Sequence, residues 1–220
     1  MKFKRLLSYF YPIKEYQISS SINENIEVTW NNGQLVLDSK NMNFSYGSLE
    51  RVMQIGLQNI GKQKINTLKN TLVLGVAGGS VIKVLQKEFD YKGTITGIEL
   101  DSEIIKVAND YFKLKDFPNL NLIENDANEF VEQTNEIYDF IVVDIFQDKI
   151  MPDFLFSEDF IGNLNRILSE KGIILFNTIV TLSHEFERNL KFEKALRIYF
   201  SEIKKITQVE GNNELFLISK

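Results

Sequence analysis

The 220-residue sequence predicts an α/β fold: a mostly parallel sheet covered by helices, an antiparallel hairpin at its C-terminal end, and a small β-hairpin unit in front. Three observations predict it. From residue 70 onward, short apolar runs alternate with amphipathic stretches, the pattern of strand–helix crossovers. One run, YDFIVVD (138–144), is almost uninterrupted, as a strand covered on both faces requires. The last two strand-like runs, EIKKITQVE and ELFLIS, are separated only by Gly211-Asn212-Asn213. That connection is too short for a parallel crossover, so the two must pair antiparallel.

The elements follow in order. The start, MKFKRLLSYFYPIKEY, places basic residues before an apolar patch from Leu6 to Tyr11. The patch is short, broken by Ser8 and ended by Pro12 without a small-residue cleavage site, so it is expected to pack on the body. IEVTW (26–30) and QLVLD (34–38) flank Asn31-Asn32-Gly33, a hairpin signal because Asn and Gly tolerate positive φ. Ser48 then opens a helix with Leu49, Val52, Met53 and Ile60 at helical spacing. Next come a strand at 71–76, a helix through Val81, Val84 and Leu85, and a strand at 94–100. Ser102 is expected to cap a helix with Ile104, Val107, Ala108 and Phe112 on one face. A strand at 120–126, a short helix at 127–133 and the strand at 138–144 follow. A helix through Phe160, Leu164 and Leu168 is expected to end near Gly172, where a fifth strand runs to 179; a helix at 184–200 precedes the final hairpin. This divides the chain into a hairpin-and-helix unit (1–66) and a sheet domain (67–220) that together make one compact enzyme.

Composition narrows the chemistry. With no cysteine there is no disulfide, thiolate metal site or thiol nucleophile, and His184 is the lone imidazole. The formal charge of −5 offers no global attraction for nucleic acid, and no apolar run approaches the ~18 residues of a membrane span. Neither a nucleic-acid partner, a membrane nor a metal is expected, and a cytoplasmic location is the default. His184 and Trp30 read as a solvated side chain and a core residue.

Open α/β sheets bind ligands beyond the carboxyl ends of their strands. After the first strand comes Gly75-Val76-Ala77-Gly78-Gly79-Ser80. Glycines there let backbone approach a ligand, and a helix N-terminus follows. Against the dinucleotide pattern GxGxxG only Gly75 matches, since Ala77 and Ser80 stand in the other two places. Glu99 ends the second strand, with Leu100 beside it, where a carboxylate can accept both hydroxyls of a ribose. Asp126-Ala127 ends the third strand, where a carboxylate can meet an amino group on a base or cap the next helix.

GVAGGS, GIELD, ENDANEF, YDFIVVD and GIILFNT, in order, resemble the Rossmann-like sheet of class I S-adenosylmethionine-dependent methyltransferases. More narrowly, these motifs with LVLDSKNMNFSYGSLERVM are similar to spermidine synthases and to spermidine-synthase-like methyltransferases. The resemblance implies S-adenosylmethionine or its decarboxylated form as cofactor, and a small-molecule acceptor. By the same resemblance Gly75, Ala77, Gly78 and Gly79 face the amino-acid end of the cofactor. Glu99 and Leu100 hold its ribose, and Asp126 and Ala127 its adenine. Asp144 sits beside the sulfonium, with Gln147 and Tyr46 completing the catalytic side.

Two departures bear on the reaction. Aminopropyltransferases carry Asp-x-x-Asp at the fourth strand's end, and the second Asp accepts the attacking amine's proton; here that place is Gln147, and an amide is no base. The acid after the family's pocket tyrosine is also missing, since Gly47 follows Tyr46. Methyl transfer to a small molecule is therefore the leading expectation. A divergent aminopropyltransferase comes second and a catalytically inactive nucleoside-binding or scaffold protein third, with a dehydrogenase a distant fourth. Ile145, Phe146, Ile150, Met151, Phe154 and Phe156 would form an apolar lid. The hairpin's exposed edge offers a way to extend a sheet across a homodimer.

Overall fold

The computed structural model describes residues 2–39, 43–45, 48–147 and 150–220. Its centre is a seven-stranded sheet built from β5 (Asn70–Leu74), β6 (Thr94–Glu99), β7 (Leu120–Glu124), β8 (Tyr138–Val143), β9 (Leu168–Ile179), β10 (Glu202–Val209) and β11 (Asn213–Ser219). The order across the sheet is β10-β11-β9-β8-β5-β6-β7. β5 pairs in parallel with both β6 and β8, β8 in parallel with β9, and β11 antiparallel with both β9 and β10. The chain thus runs outward from β5 to β7 and then returns past β5 to β8. This reversal point, between β5 and β8, is where an open α/β sheet leaves a crevice.

The two-residue period of the strands explains the two cores. Leu72 and Leu74 of β5 and Ile141 and Val143 of β8 face one side, with Phe160 and Leu164 of α7 (Glu158–Ile167) and Phe192 and Leu196 of α8 (Ser183–Tyr199). Val73, Phe140 and Val142 face the other, against Val81 and Leu85 of α4 (Ser80–Lys87) and Val52, Met53 and Leu57 of α2 (Ser48–Ile60). Ile65 of the short α3 (Lys62–Ile65) joins the second core, so the helices after the hairpin pack with the large sheet.

The N-terminal unit is larger than a hairpin. Asn32 (φ 47°) and Gly33 (φ 76°) make the turn between β2 (Ile26–Asn31) and β3 (Gln34–Ser39). β1 (Ile13–Ile18) and β4 (Asn43–Ser45) extend these into a four-stranded antiparallel sheet. Ile26, Val28 and Leu37 of this sheet pack on Ile104 and Val107 of α5 (Ser102–Tyr111). The first residues form α1 (Lys2–Leu7), tied to the β2–β3 turn by Arg5 Nε donating to the Gly33 carbonyl and Gly33 N–H donating to Ser8 Oγ. The segment also meets the small sheet through Asn32 N–H donating to the Ser8 carbonyl, the Lys4–Glu15 ion pair and the Tyr9 ring against Gly33, while Phe3, Leu6 and Phe10 stay exposed.

Two further expectations are corrected. Asp101, not Ser102, caps α5, its carboxylate accepting from Glu103 N–H, because a carboxylate on a short side chain reaches the open amides of the first turn. α7 stops at Ile167 and β9 starts at Leu168, earlier than Gly172. Leu168 pairs with Tyr138 and Ile173 with Phe140, so an irregularity sets residues 169–172 against the single Asp139. Trp30 is core, and His184 is exposed in the first turn of α8. No helix among the described residues is long and apolar enough to cross a membrane.

Candidate functional site

At the reversal point the loops after β5, β6, β7 and β8 enclose a cavity of about 430 Å³. Gly75, Ala77, Glu99, Leu100, Asp126, Ala127, Asp144 and Gln147, all singled out from the sequence, line it. Gly78 and Gly79 do not. Gly78 turns its carbonyl to Lys83 Nζ at 2.8 Å, and Gly79, in the left-handed region at φ 75°, precedes α4. Tyr46 lies outside the described residues.

Gly75 is required by its surroundings. Its φ is 85°, and a Cβ there would run into the Asp144 carbonyl oxygen on the neighbouring strand end. Ala77 holds φ 46°, so the loop keeps the glycine-like conformation of the dinucleotide pattern even where the glycine is gone.

Glu99 builds the turn as well as facing the cavity. Its Oε2 accepts from Val76 N–H (3.2 Å) and Ala77 N–H (3.0 Å), and its Oε1 from Asp101 N–H (3.1 Å). A carboxylate offers about four acceptor positions. The Leu100 N–H also reaches the carboxylate, so a ligand hydroxyl would have to share or displace one of these amides. Burial pushes the Glu99 carboxyl above its ordinary value against the pull of those amide bonds.

Asp126 caps α6 (Ala127–Gln133), Oδ1 accepting from Asn128 N–H at 2.7 Å and Glu129 N–H at 3.1 Å. Asp144 follows the last residue of β8. Burial raises its carboxyl to about 6, with only Asn177 opposing: Asn177 Nδ2 donates to Asp144 Oδ1 at 2.9 Å. Gln147 is exposed at the rim, its backbone exchanging two hydrogen bonds with Ile150. The expected lid is divided. Ile145, Phe146 and Phe154 line the cavity, Met151 is buried in the core, Phe156 packs on Phe176 and Phe192, and Ile150 is exposed.

Sequence reading missed Ile22, Asn23, Asp101, Ile104, Asn125 and Pro152 in the lining. Ile22 and Asn23 come from the β1–β2 connection. Ser20 Oγ and Asn23 Nδ2 both donate to Asp101 Oδ2, and Asp101 is only 2 % exposed. The signal that a second unit closes the cavity at Asp101 is purely tertiary.

The strand order, the glycine turn and the carboxylate ending β6 define a Rossmann-like class I methyltransferase fold. Solved structures agree. A spermidine synthase in complex with a transition-state analogue superposes with TM-score 0.76 at 17% identity, over 94% of this chain and 74% of its own. Human methyltransferase-like protein 13 with SAH gives 0.65 at 18%, over 79% and 82%. The spermine/spermidine synthase domain model matches residues 50–209, and the chain belongs to that family. A polyamine aminopropyltransferase of Clostridium beijerinckii is 26% identical over 148 residues, 62% of this chain and 52% of its own. One of Vibrio vulnificus is 24% identical over 144 residues, 64% and 47%. An eEF1A lysine and N-terminal methyltransferase homolog of Drosophila pseudoobscura pseudoobscura is 25% identical over 171 residues, 70% of this chain and 25% of its own. The chain spans about half the length of the aminopropyltransferases it matches.

Proposed function

We propose that this protein transfers an alkyl group from a sulfonium nucleoside to an amine nitrogen of a small acceptor, and that the group is aminopropyl, from decarboxylated S-adenosylmethionine. One observation carries the choice of donor. Among the described residues the cavity is lined by four acidic side chains, Glu99, Asp101, Asp126 and Asp144, and by no Lys or Arg. Such a wall attracts a donor bearing two positive charges, and it disfavours one that brings a carboxylate of its own. The relatives named polyamine aminopropyltransferase support the same choice. It displaces the methyl transfer expected from the sequence to second place.

The residues present suit such a nucleoside. Glu99 would take a ribose hydroxyl in exchange for one of its amide bonds, and Asp126 with Ala127 the adenine. Gly75 and Ala77 present backbone to the amino end of the donor, and Ile98, Leu100 and Ile104 supply apolar wall. When bound, the donor supplies a carbon activated by the adjoining positive sulfur. The chain's own contribution is to hold the acceptor, exclude water and manage one proton. An amine attacks only through its free electron pair. Asp144, ionised above about pH 6, takes the proton that the nitrogen gives up, and a neighbouring sulfonium would hold it ionised at lower pH still. Phe146, Pro152 and Phe154 keep that side of the cavity apolar.

Methyl transfer from S-adenosylmethionine is the second reading, favoured by Gln147 on the lining where a second carboxylate would hold a diamine. Mass spectrometry after incubation with either donor, plus putrescine or simple monoamines, decides between them. An aminopropyl increment on the amine is expected. A methyl increment formed only from S-adenosylmethionine reverses the order. Calorimetric binding of either donor without any product leaves the inactive nucleoside-binding protein, and no binding of either donor overturns both transferase readings.

A further inference from the structure

Three strands contribute one residue each to a line of side chains that ends at the cavity. Asp144 stands at the end of β8, Asn177 is fully buried in β9, and Asn213 opens β11. Asn213 Nδ2 donates to Asn177 Oδ1 at 2.9 Å, and Asn177 Nδ2 donates to Asp144 Oδ1 at 2.9 Å. A primary amide has one accepting end and one donating end, so a donor bound to its oxygen decides which way it points.

We infer that Asn213 is a positioning residue for Asp144, fixing the Asn177 amide so that its NH₂ end faces the carboxylate. The catalytic meaning of this contact rests on the reading of Asp144 as proton acceptor. Turned the other way, Asn177 would present its carbonyl oxygen to the half-buried carboxylate beside it, two acceptors with no proton between them. The C-terminal hairpin, which adds nothing to the cavity lining, would therefore set the proton affinity of the group that works there.

The charged groups around this line are few. Glu99, Asp101 and Asp126 share the cavity with Asp144. Glu214, next to Asn213, is engaged elsewhere: its Oε2 meets Asn189 Nδ2 and Lys205 Nζ, both at 2.9 Å. Burial and the Asn177 bond are the two influences on the Asp144 carboxyl, raising and lowering it respectively.

The test is a carboxyl-carbon NMR titration of the full chain without donor, with the Asp144 signal assigned by its loss in Asp144→Asn. A midpoint near 6 is expected for the unaltered protein. Asn213→Ala frees the amide and should move it up by about half a pH unit, and Asn213→Asp, which offers Asn177 only an acceptor, by about one. Asn177→Ala, which removes the bond itself, should move it at least as far as Asn213→Ala. An unchanged midpoint in both Asn213 variants overturns the inference, as does one that falls. The acid limb of kcat/KM, measured on the same variants, separates the two claims. A midpoint that moves without the limb following supports the Asn213 contact and overturns Asp144 as proton acceptor.

Discussion

The two halves of the cavity hold their carboxylates in opposite ways. On the β6–β7 side, Glu99 receives the backbone amides of Val76, Ala77, Leu100 and Asp101, Asp126 two, and Asp101 one amide plus Ser20 and Asn23. On the β8 side, Asp144 receives one side-chain bond, from Asn177. Backbone donors are fixed by the strands and helices that carry them, so the first group shapes the wall. A half-buried carboxylate with a single partner is free to change its protonation, and of these four cavity carboxylates only Asp144 is held that way. Under the proposed transfer, binding and proton handling would be divided between the two sides of the reversal point.

The largest effect should come from Asp144→Asn. Loss of a general base costs about 10²–10⁴-fold in the transfer rate. Stability should move the other way. The folded protein keeps the Asp144 proton up to about pH 6, whereas an exposed aspartate loses it near 3.8. Ionisation therefore costs folding free energy increasingly between those values and in full at neutral pH. Asp144→Asn removes that cost, so denaturant unfolding at pH 7 should show a gain of about 1–3 kcal/mol that vanishes near pH 4. A variant destabilised at pH 7 would make Asp144 a structural carboxylate like the others and erase the contrast.

Gly75→Ala should follow, with a loss of about 2–4 kcal/mol in the same measurement, since it combines a positive φ with a collision against the Asp144 carbonyl. Glu99→Ala should weaken donor binding by about 1–3 kcal/mol in calorimetry. Glu99→Gln sharpens the point: it keeps one acceptor and so retains part of the turn, and should fall between the two. Equal affinity in all three would remove Glu99 from the donor side. The smallest effect is expected for Ala77→Gly, a change below about 1 kcal/mol, because glycine relieves φ 46° but gains freedom when unfolded.

What the sequence disclosed, and what it hid, divides along the same physical line. The β2–β3 turn was legible because Asn32 and Gly33 advertise positive φ, and the terminal hairpin because three residues cannot span a crossover. The ends of β5, β6, β7 and β8 were legible as apolar runs stopping at Gly75, Glu99, Asp126 and Asp144. β1 was not, since IKEYQI alternates poorly and becomes a strand through its pairing with β2. The start of β9 was hidden in the polar Ser169, Glu170 and Lys171, and its pairing to Tyr138 is a matter of register. Asn23 and Asn213 look like ordinary loop residues. Their places at Asp101 and Asn177 depend on contacts 78 and 36 residues away along the chain.

The clasp on Asp101 separates what folds together from what works together. The seven-stranded sheet has its own two cores, built from residues beyond the first 50. Yet part of its crevice is walled by Ile22 and Asn23, and a nearly buried carboxylate on its rim is satisfied by Ser20 and Asn23. Removing the first 25 residues would leave the sheet its interior while stripping a donor pair from Asp101 and opening the cavity to water. The unit of inheritance for this site is therefore longer than the unit of folding that carries it, and a transplant of the sheet alone would carry the shape of the crevice without its closure.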